Sequence, residues 1–391
     1  MASPRPSVDQ NPTSLGTLQA KIWHGTLPLA IHLAASECRT YDQSDPYLVN
    51  IPRLSYLPLL LPRLHAFFGP SLINPSAAAP HHGWFSFEGV PLRWHYPAGL
   101  LYDLFSGADP SSPHPKHDPG NDTCDSEGEQ QLPWRLELHF EGWPDEQLVR
   151  LDAEGRVLHD AFINSVKEAD FLRNGTAKGI MSLSKDDSTQ LWDAVQSNNL
   201  RSFNTINNKL LDPPGAPLRH IPLKIYLPSS APASTTSTTP PPPTHHLSQL
   251  AEEPTSSSPT QDDAPPASKP QPQPEPQQAS LRVLQSPVTP SIGPSAAGTA
   301  AAAIGGPKPT SSSSSPDPSS TSSHHQQQTP QTLGTTLHAL LPSLFPSRRT
   351  PILARAVLHG AVVPLAAPVE ELMRTAAYAD GWLHLGVVMM A

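Results

Sequence analysis

Three residue types in this 391-residue chain could take part in covalent or acid–base chemistry: lysine, cysteine and histidine. Lys167 lies in a segment of helical periodicity, at the edge of its apolar stripe. A lysine amine attacks a thioester only when it is deprotonated, and the pKa of an exposed lysine is about 10.4. Spacing alone describes a solvated lysine that pairs weakly with Asp170 on the wet side of the helix. Lys178, Lys185 and Lys209 are the comparison lysines of this region.

The two cysteines, Cys38 and Cys124, are the candidates for thiol chemistry. An enzyme that carries a thioester needs an accessible cysteine with a lowered pKa. Both cysteines have acidic neighbours in the sequence, which disfavour the thiolate. Two cysteines also exclude a disulfide scaffold and a thiolate zinc cluster, and they fit a reducing compartment.

The 18 histidines include doublets at 81–82, 245–246 and 324–325, all in loop-like sequence, where we expect them to be solvated. His95 and His139 lie within strand patterns and are predicted to pack or to form hydrogen bonds. The chain has no H-E-x-x-H, Walker, G-x-G-x-x-G or G-x-S-x-G motif. We therefore predict no metal site, no cofactor and no nucleotide or hydrolase machinery.

Composition separates ordered from disordered sequence. The chain holds 50 prolines and only 15% charged residues. This composition is not that of one compact globule and indicates a folded part joined to disordered sequence. We predict disorder at 1–13, 106–132, 229–278 and 289–330. The net charge of −9 argues against general nucleic-acid binding. No apolar stretch resembles a secretory signal or a membrane-spanning helix, and the last residues, GVVMMA, are not an exposed glycine tail.

Apolar periodicity predicts the order ββ-α-ββ-α-β twice, which is the order of ubiquitin-like β-grasp domains. The first copy follows a helix at 15–23 and comprises strands 25–36, 46–52, 84–87, 90–96 and 134–140, with helices 54–68 and 97–105. The second comprises strands 218–228, 281–288, 355–360, 361–365 and 382–389, with helices 332–345 and 368–378. Helices are predicted between them at 154–173, 176–183 and 186–211. Pro62 is predicted to kink its helix.

The predicted fold is therefore α+β, with two ubiquitin-like β-grasp domains flanking a helix-rich bundle and long disordered loop insertions. The first domain and its leading helix span 14–142, the bundle 145–211 and the second domain 218–391. The segments VPLRWHYPAGLLYDL and VKEAD, together with 190–211 and 357–373, resemble the autophagy protein 5 family. The resemblance extends in order over nearly all of the ordered sequence.

The resemblance implies a scaffold that is not itself an enzyme. Family members accept an isopeptide bond from the C-terminal glycine of the ubiquitin-like autophagy protein 12, and the acceptor lysine of the KEAD motif is here Lys167. The conjugate binds an N-terminal helix of autophagy protein 16 and acts like an E3. It stimulates transfer of autophagy protein 8 to phosphatidylethanolamine by the E2-like autophagy protein 3. The E1-like autophagy protein 7 and the E2-like autophagy protein 10 act indirectly. The implied location is the cytoplasm and the periphery of the preautophagosomal membrane.

Two other functions stay open from the residues. One is an E2-like thioester carrier that uses Cys38 or Cys124. The other is an interaction hub whose proline-rich tract recruits modules that bind polyproline helices. A basic patch of Arg173, Lys178 and Lys185 could also face anionic lipid, although ordinary helix solvation explains these residues as well.

Overall fold

The computed structural model describes residues 14–39, 45–76, 78–106, 132–211, 218–227, 281–292 and 329–390. Cys124, the histidine doublets at 245–246 and 324–325, and nearly all of the sequence predicted to be disordered lie outside these residues. The described part is a mixed α+β fold in which two five-stranded sheets flank a helical region.

The first sheet has the strand order β2-β1-β5-β3-β4. Its strands are β1 Thr26–Leu33, β2 Tyr47–Pro52, β3 Trp84–Phe87, β4 Val90–Pro91 and β5 Trp134–His139, and α1 Ser14–Trp23 precedes them. The central strands β1 and β5 are parallel, and the other pairs are antiparallel. Helices α2 Leu61–Phe68 and α3 Ala98–Phe105 complete the domain. Alternating side chains of β1 and β5 pack into the core beneath the sheet.

Two local predictions in this domain were wrong. Pro62 does not kink a long helix, because a 3₁₀ turn covers Leu57–Leu60 and α2 begins only at Leu61. Pro62 then sits in the first helical turn, where the missing N–H removes no hydrogen bond. The strand predicted at 90–96 is confined to Val90–Pro91, since the chain then bends through a turn closed by Tyr96 N and Arg93 O at 3.1 Å.

The helical region contains α4 Arg156–Asn174, α5 Lys178–Met181, α6 Lys185–Gln196 and α7 Leu200–Leu211. The third predicted helix is therefore two helices. Asn198, with φ of 53°, interrupts the run between α6 and α7. Gly175, with φ of 70°, ends α4 in the left-handed conformation that glycine adopts most readily.

The second sheet has the order β11-β10-β12-β6-β7. Its strands are β6 Ile221–Leu227, β7 Arg282–Val288, β10 Ala354–Leu358, β11 Ala361–Val362 and β12 Leu383–Met389. Helices α8 Leu333–Leu340 and α9 Val369–Ala376 belong to this domain, and a short pair joins β8 Ser291–Ile292 to β9 Thr329–Pro330. Strands β6 and β12 are parallel, as β1 and β5 are in the first sheet. The isolated aliphatic segment 281–288 was correctly predicted as a strand.

Candidate conjugation site on the helical region

Lys167 lies in the fourth turn of α4 and its side chain is half-buried. The predicted apolar stripe is buried at every position, and its members are Leu158, Phe162, Val166 and Ala169. Beside the lysine, Glu168 is exposed, and one turn further Phe171 is 55% exposed. The amine therefore stands at the border between the packed face of α4 and solvent.

The sequence predicted that Asp170 lies on the solvent-exposed side of α4, and that prediction was wrong. It is fully buried, and its carboxylate accepts hydrogen bonds from Asn174 Nδ2 at 2.7 Å and from the Ile180 backbone N–H at 2.9 Å. The Ile180 bond joins α4 to α5. The Asp170 carboxylate of the KEAD motif is thus a structural group that connects α4 to α5, and it is hydrogen-bonded to Asn174 and Ile180.

A second polar connection ties α4 to the second sheet. Ser165 Oγ donates to Asp380 Oδ2 at 2.8 Å, and Trp382 Nε1 donates to the Ser165 carbonyl oxygen at 3.0 Å. Asp380 Oδ2 also lies 3.0 Å from His384 Nε2, and His384 Nδ1 lies 2.7 Å from the Tyr226 hydroxyl. Two strands of the second domain and the loop before β12 therefore hold the helix that carries Lys167.

The surrounding groups determine the protonation states of Asp380 and Tyr226 in this connection. Burial alone raises the pKa of Asp380, but His384, Lys224 and the Ser165 hydroxyl together hold it below its usual value. Burial raises the pKa of Tyr226. At neutral pH the buried group is therefore an Asp380 carboxylate that accepts hydrogen bonds from its surroundings. The sequence signal for this connection is only the Asp-x-x-x-His spacing, which is too common to single it out.

The comparison lysines differ from Lys167 in their environment. Lys178 and Lys185 are exposed, whereas Lys209 Nζ forms an ion pair with Asp187 at 3.0 Å. Arg173 is 1% exposed. Arg173 is therefore too buried to belong to the surface patch predicted from Arg173, Lys178 and Lys185, and only the two lysines are exposed.

Cys38 is 8% exposed and belongs to the core of the first domain, next to Leu72. A thiol in that position cannot reach an activating enzyme without local unfolding. Of the strand histidines, His139 stacks on Trp84 with ring centroids 4.0 Å apart and lies 2.8 Å from Ser86 Oγ, so its predicted packing role is confirmed. Within the described residues there is no group of three or more His, Cys, Asp or Glu side chains that could hold a metal ion.

A cavity of about 220 Å³ lies beside α4, and Lys167 is not among its lining residues. Its walls come from all three regions and include His95, Asn164, Ser165, Glu168 and Lys224.

No described helix is both long and apolar enough to cross a bilayer.

Comparison with known proteins matches each of the three regions to a domain model of the same family. Family models described as Autophagy protein ATG5, UblA domain, alpha-helical bundle region and UblB domain match residues 22–140, 155–213 and 314–387 in that order. Autophagy protein 5 from Aspergillus fumigatus is 51% identical over 384 residues, which cover 98% of each chain. This chain belongs to the autophagy protein 5 family. The family resemblance drawn from the sequence is thereby confirmed.

Other members extend the comparison. Autophagy protein 5 from Phaeosphaeria nodorum is 45% identical and covers 95% of this chain and 97% of its own length. The crystal structure of Kluyveromyces marxianus Atg5 matches with a TM-score of 0.58 at 17% identity, covering 95% of this chain and 98% of that one. At that identity the structure shows a shared fold. The UblB model begins at residue 314, but the second sheet of this family member also includes β6 and β7 from earlier in the chain.

Proposed function

We propose that this chain is a non-catalytic autophagy scaffold that accepts the ubiquitin-like autophagy protein 12 through an isopeptide bond on Lys167. One observation carries the proposal: the lysine of the KEAD motif is half-buried at the solvent border of a helix that is fixed at two points. Asp170 ties that helix to α5, and Ser165 ties it to the second domain. A fixed backbone beneath a reachable amine is what an acceptor site requires.

The reaction leaves little chemistry for this chain. Lys167 Nζ attacks the thioester carbonyl that joins the modifier's C-terminal glycine to a cysteine of the E2-like autophagy protein 10. A C–N bond forms, the C–S bond breaks, the thiolate leaves on the E2-like enzyme and the amine proton passes to solvent. Among the described residues, Lys167 has no ion-pair partner that would have to be displaced. The base that takes this proton from the amine and passes it to solvent is assigned to the E2-like enzyme.

The conjugate, with autophagy protein 16 bound through its N-terminal helix, is proposed to act like an E3. It promotes transfer of autophagy protein 8 to phosphatidylethanolamine by autophagy protein 3, while autophagy protein 7 activates the modifier upstream. The proposed location is the cytoplasm and the periphery of the preautophagosomal membrane. The proposed domain boundaries are 14–142, 145–211 and 218–391, with no cofactor and no nucleic acid involved.

Replacement of Lys167 by arginine tests the acceptor site. In starved cells the wild-type chain should give a second, heavier species that reacts with antibody against the modifier, and Lys167→Arg should abolish it and stall lipidation of autophagy protein 8. Lys178→Arg and Lys209→Arg are the matched controls, since they make the same change on neighbouring helices. A heavy species that persists in Lys167→Arg moves the acceptor to another lysine. If the wild-type chain gives no heavy species, the acceptor role is contradicted and only a non-covalent scaffold role remains.

The alternative of an E2-like thioester carrier is disfavoured by the burial of Cys38 in the core of the first domain. Cys124 lies outside the described residues. Replacing both cysteines by serine should leave the conjugate intact if the chain is an acceptor. For the interaction hub, deletion of 229–278 and 291–328 should impair autophagy while conjugation continues.

A further inference from the structure

The cavity of about 220 Å³ beside α4 is lined by polar side chains that have no partner in the fold. His95, Asn164, Glu168 and Lys224 come from all three regions of the chain, and their side chains form no hydrogen bond or ion pair with any other described residue. Polar groups that converge on one cavity without bonding to one another are available to a ligand.

The other polar groups of the cavity are already satisfied. Ser165 Oγ donates to Asp380 Oδ2 at 2.8 Å, and the same oxygen lies 3.0 Å from His384 Nε2. His384 Nδ1 lies 2.7 Å from the Tyr226 hydroxyl. These bonds fix one wall of the cavity and leave its recognition to the unpartnered groups.

Lys224 is held in place without the use of its hydrogen-bond donors. It lies on β6, and its Nζ is 4.0 Å from the centroid of the Trp382 ring. Trp382 is itself fixed, since it is 0% exposed and its indole N–H donates to the Ser165 carbonyl oxygen. A cation over an aromatic face keeps its N–H groups free for an oxygen acceptor. The ammonium group is therefore preorganised to bind a carboxylate.

The opposite charge lies on α4. Glu168 and Asn164 are exposed and lie four residues apart, on one face of the helix. Their exposure places the entrance of the cavity on this side. The Glu168 carboxylate accepts hydrogen bonds, and the Asn164 amide can donate and accept them.

The two free charges limit the class of ligand. A simple anion would be attracted by Lys224 but repelled by Glu168 and Asp380, and a simple cation would be repelled by Lys224. A zwitterion can place each of its charges beside the opposite charge of the wall. The terminus of a polypeptide carries only one of the two charges, so a free α-amino acid fits better.

Size and the apolar wall narrow the choice of side chain. About seven water molecules of about 30 Å³ each would fill the cavity, so its occupant is a small amino acid. Tyr56 and Phe162, each 3% exposed, lie edge to face with centroids 6.4 Å apart and line the cavity. We propose that the cavity binds a free α-amino acid with a small aliphatic side chain, which packs on Tyr56 and Phe162 while its carboxylate meets Lys224 and its ammonium group meets Glu168. This site does not depend on conjugation at Lys167.

The probe for the test is L-valine, a zwitterion of the required size. Equilibrium dialysis of the full-length chain against isotopically labelled L-valine should show saturable binding, with a Kd of about 1 mM or tighter. N-acetyl-L-valine keeps only the carboxylate and L-valinamide only the ammonium group. Each should bind at least about tenfold more weakly, the loss expected when one charge-assisted hydrogen bond is removed. The proposal is overturned if L-valine does not bind saturably, or if either analogue binds as tightly.

Two variants show whether the named charges make these contacts. Lys224→Met and Glu168→Gln should each weaken L-valine binding at least about tenfold. In Lys224→Met the ligand carboxylate has no partner, so L-valine should bind no better than L-valinamide. In Glu168→Gln the ammonium group has lost its partner, so L-valine should bind no better than N-acetyl-L-valine. A purely structural role of either residue would not produce this exchange of preference.

Lys178→Met and Glu371→Gln are the matched controls, because both residues are exposed and neither lines the cavity. They should leave the affinity for L-valine unchanged. Glu168 is exposed, so Glu168→Gln still tests the site if Lys224→Met does not fold. A folded variant of Lys224 or Glu168 that binds L-valine as well as wild type overturns the assignment.

Discussion

The two ubiquitin-like domains have the same topology but different relations to the rest of the molecule. Numbered within each domain, both sheets have the strand order 2-1-5-3-4, and in both the first and last strands form the parallel central pair. The first domain has a hydrophobic core of its own, to which none of the helices α4 to α7 contributes a buried residue in the described chain. The second domain shares one continuous core with the helical region, and its strands contribute buried residues to that core, whereas the first domain contributes Leu54, Tyr56, Trp94 and Leu100 from outside its strands.

That difference decides which domain supports Lys167. Ile225 of β6 and Phe162 of α4 belong to the same buried cluster, and Trp382 and Asp380 add hydrogen bonds to Ser165. The helix that carries Lys167 is therefore part of the packing of the second domain. Two sheets of one topology thus differ in what they support, because the strands of only one of them contribute buried residues to the core of the helical region.

The largest expected effect comes from a matched pair of core truncations. Ile31 in β1 and Ile225 in β6 are both 0% exposed and occupy the central parallel pair of their sheets. Each isoleucine-to-alanine change should cost about 2–5 kcal/mol of stability, from lost burial and the cavity left behind. Hydrogen exchange should show faster opening of α4 in Ile225→Ala only. Equal acceleration of α4 in both variants would mean that the two cores act as one unit.

The next effect is the pH dependence that His359 adds to the stability of the second domain. His359 lies in the β10–β11 turn, its Nε2 is 2.9 Å from the Ala376 carbonyl oxygen, and its ring stacks on Tyr378. Burial lowers the pKa of His359 to about 4. The folded state therefore keeps the histidine neutral, while the unfolded chain takes up a proton below about pH 6.5. Stability is lost as the pH falls from about 6.5 towards 4.

At pH 5 this loss should be about 2 kcal/mol relative to pH 7. Urea unfolding of wild type and His359→Gln at both pH values measures it, since glutamine keeps an N–H donor but does not titrate. The variant should show a flatter dependence, with the difference largest for probes in the second domain. Parallel curves for the two proteins would assign the pH dependence to other groups.

Much of the fold could be predicted because local pattern and fold agree. The periodicity of β1, β5 and β12, the proline at the start of α9 and the aliphatic segment of β7 each indicated the observed element. Pro62 misled because a kink and a new helix start share the same local signal. The resemblance to the autophagy protein 5 family supplied Lys167, which spacing alone describes as an ordinary surface lysine.

The polar interior of the candidate site was not predictable from periodicity. Asp170 and Arg173 are charged residues in an amphipathic helix, and the usual rule places such residues in solvent. Their burial depends on groups distant in sequence: the Ile180 N–H for Asp170, and the cleft between α1, α7 and α9 for Arg173. The Ser165–Asp380 bond joins residues 215 positions apart, so no window of local sequence contains it.

The smallest effect sharpens the comparison most directly, because each ubiquitin-like domain has a polar side chain that partners a serine hydroxyl. Ser165 Oγ donates to Asp380 at 2.8 Å, and Ser86 Oγ lies 2.8 Å from His139 Nε2. Either serine-to-alanine change should cost about 1 kcal/mol of stability, the net value of one hydrogen bond. Only Ser165→Ala should also loosen α4, measured by exchange of its amides, and raise the pKa of Asp380, which the hydroxyl helps to lower. If Ser86→Ala accelerated amide exchange of α4 equally, the opening of α4 would follow the overall stability of the protein. The Ser165–Asp380 hydrogen bond would then have no specific effect on the helix. If neither variant changed α4, shared apolar packing alone would hold the helix that carries Lys167.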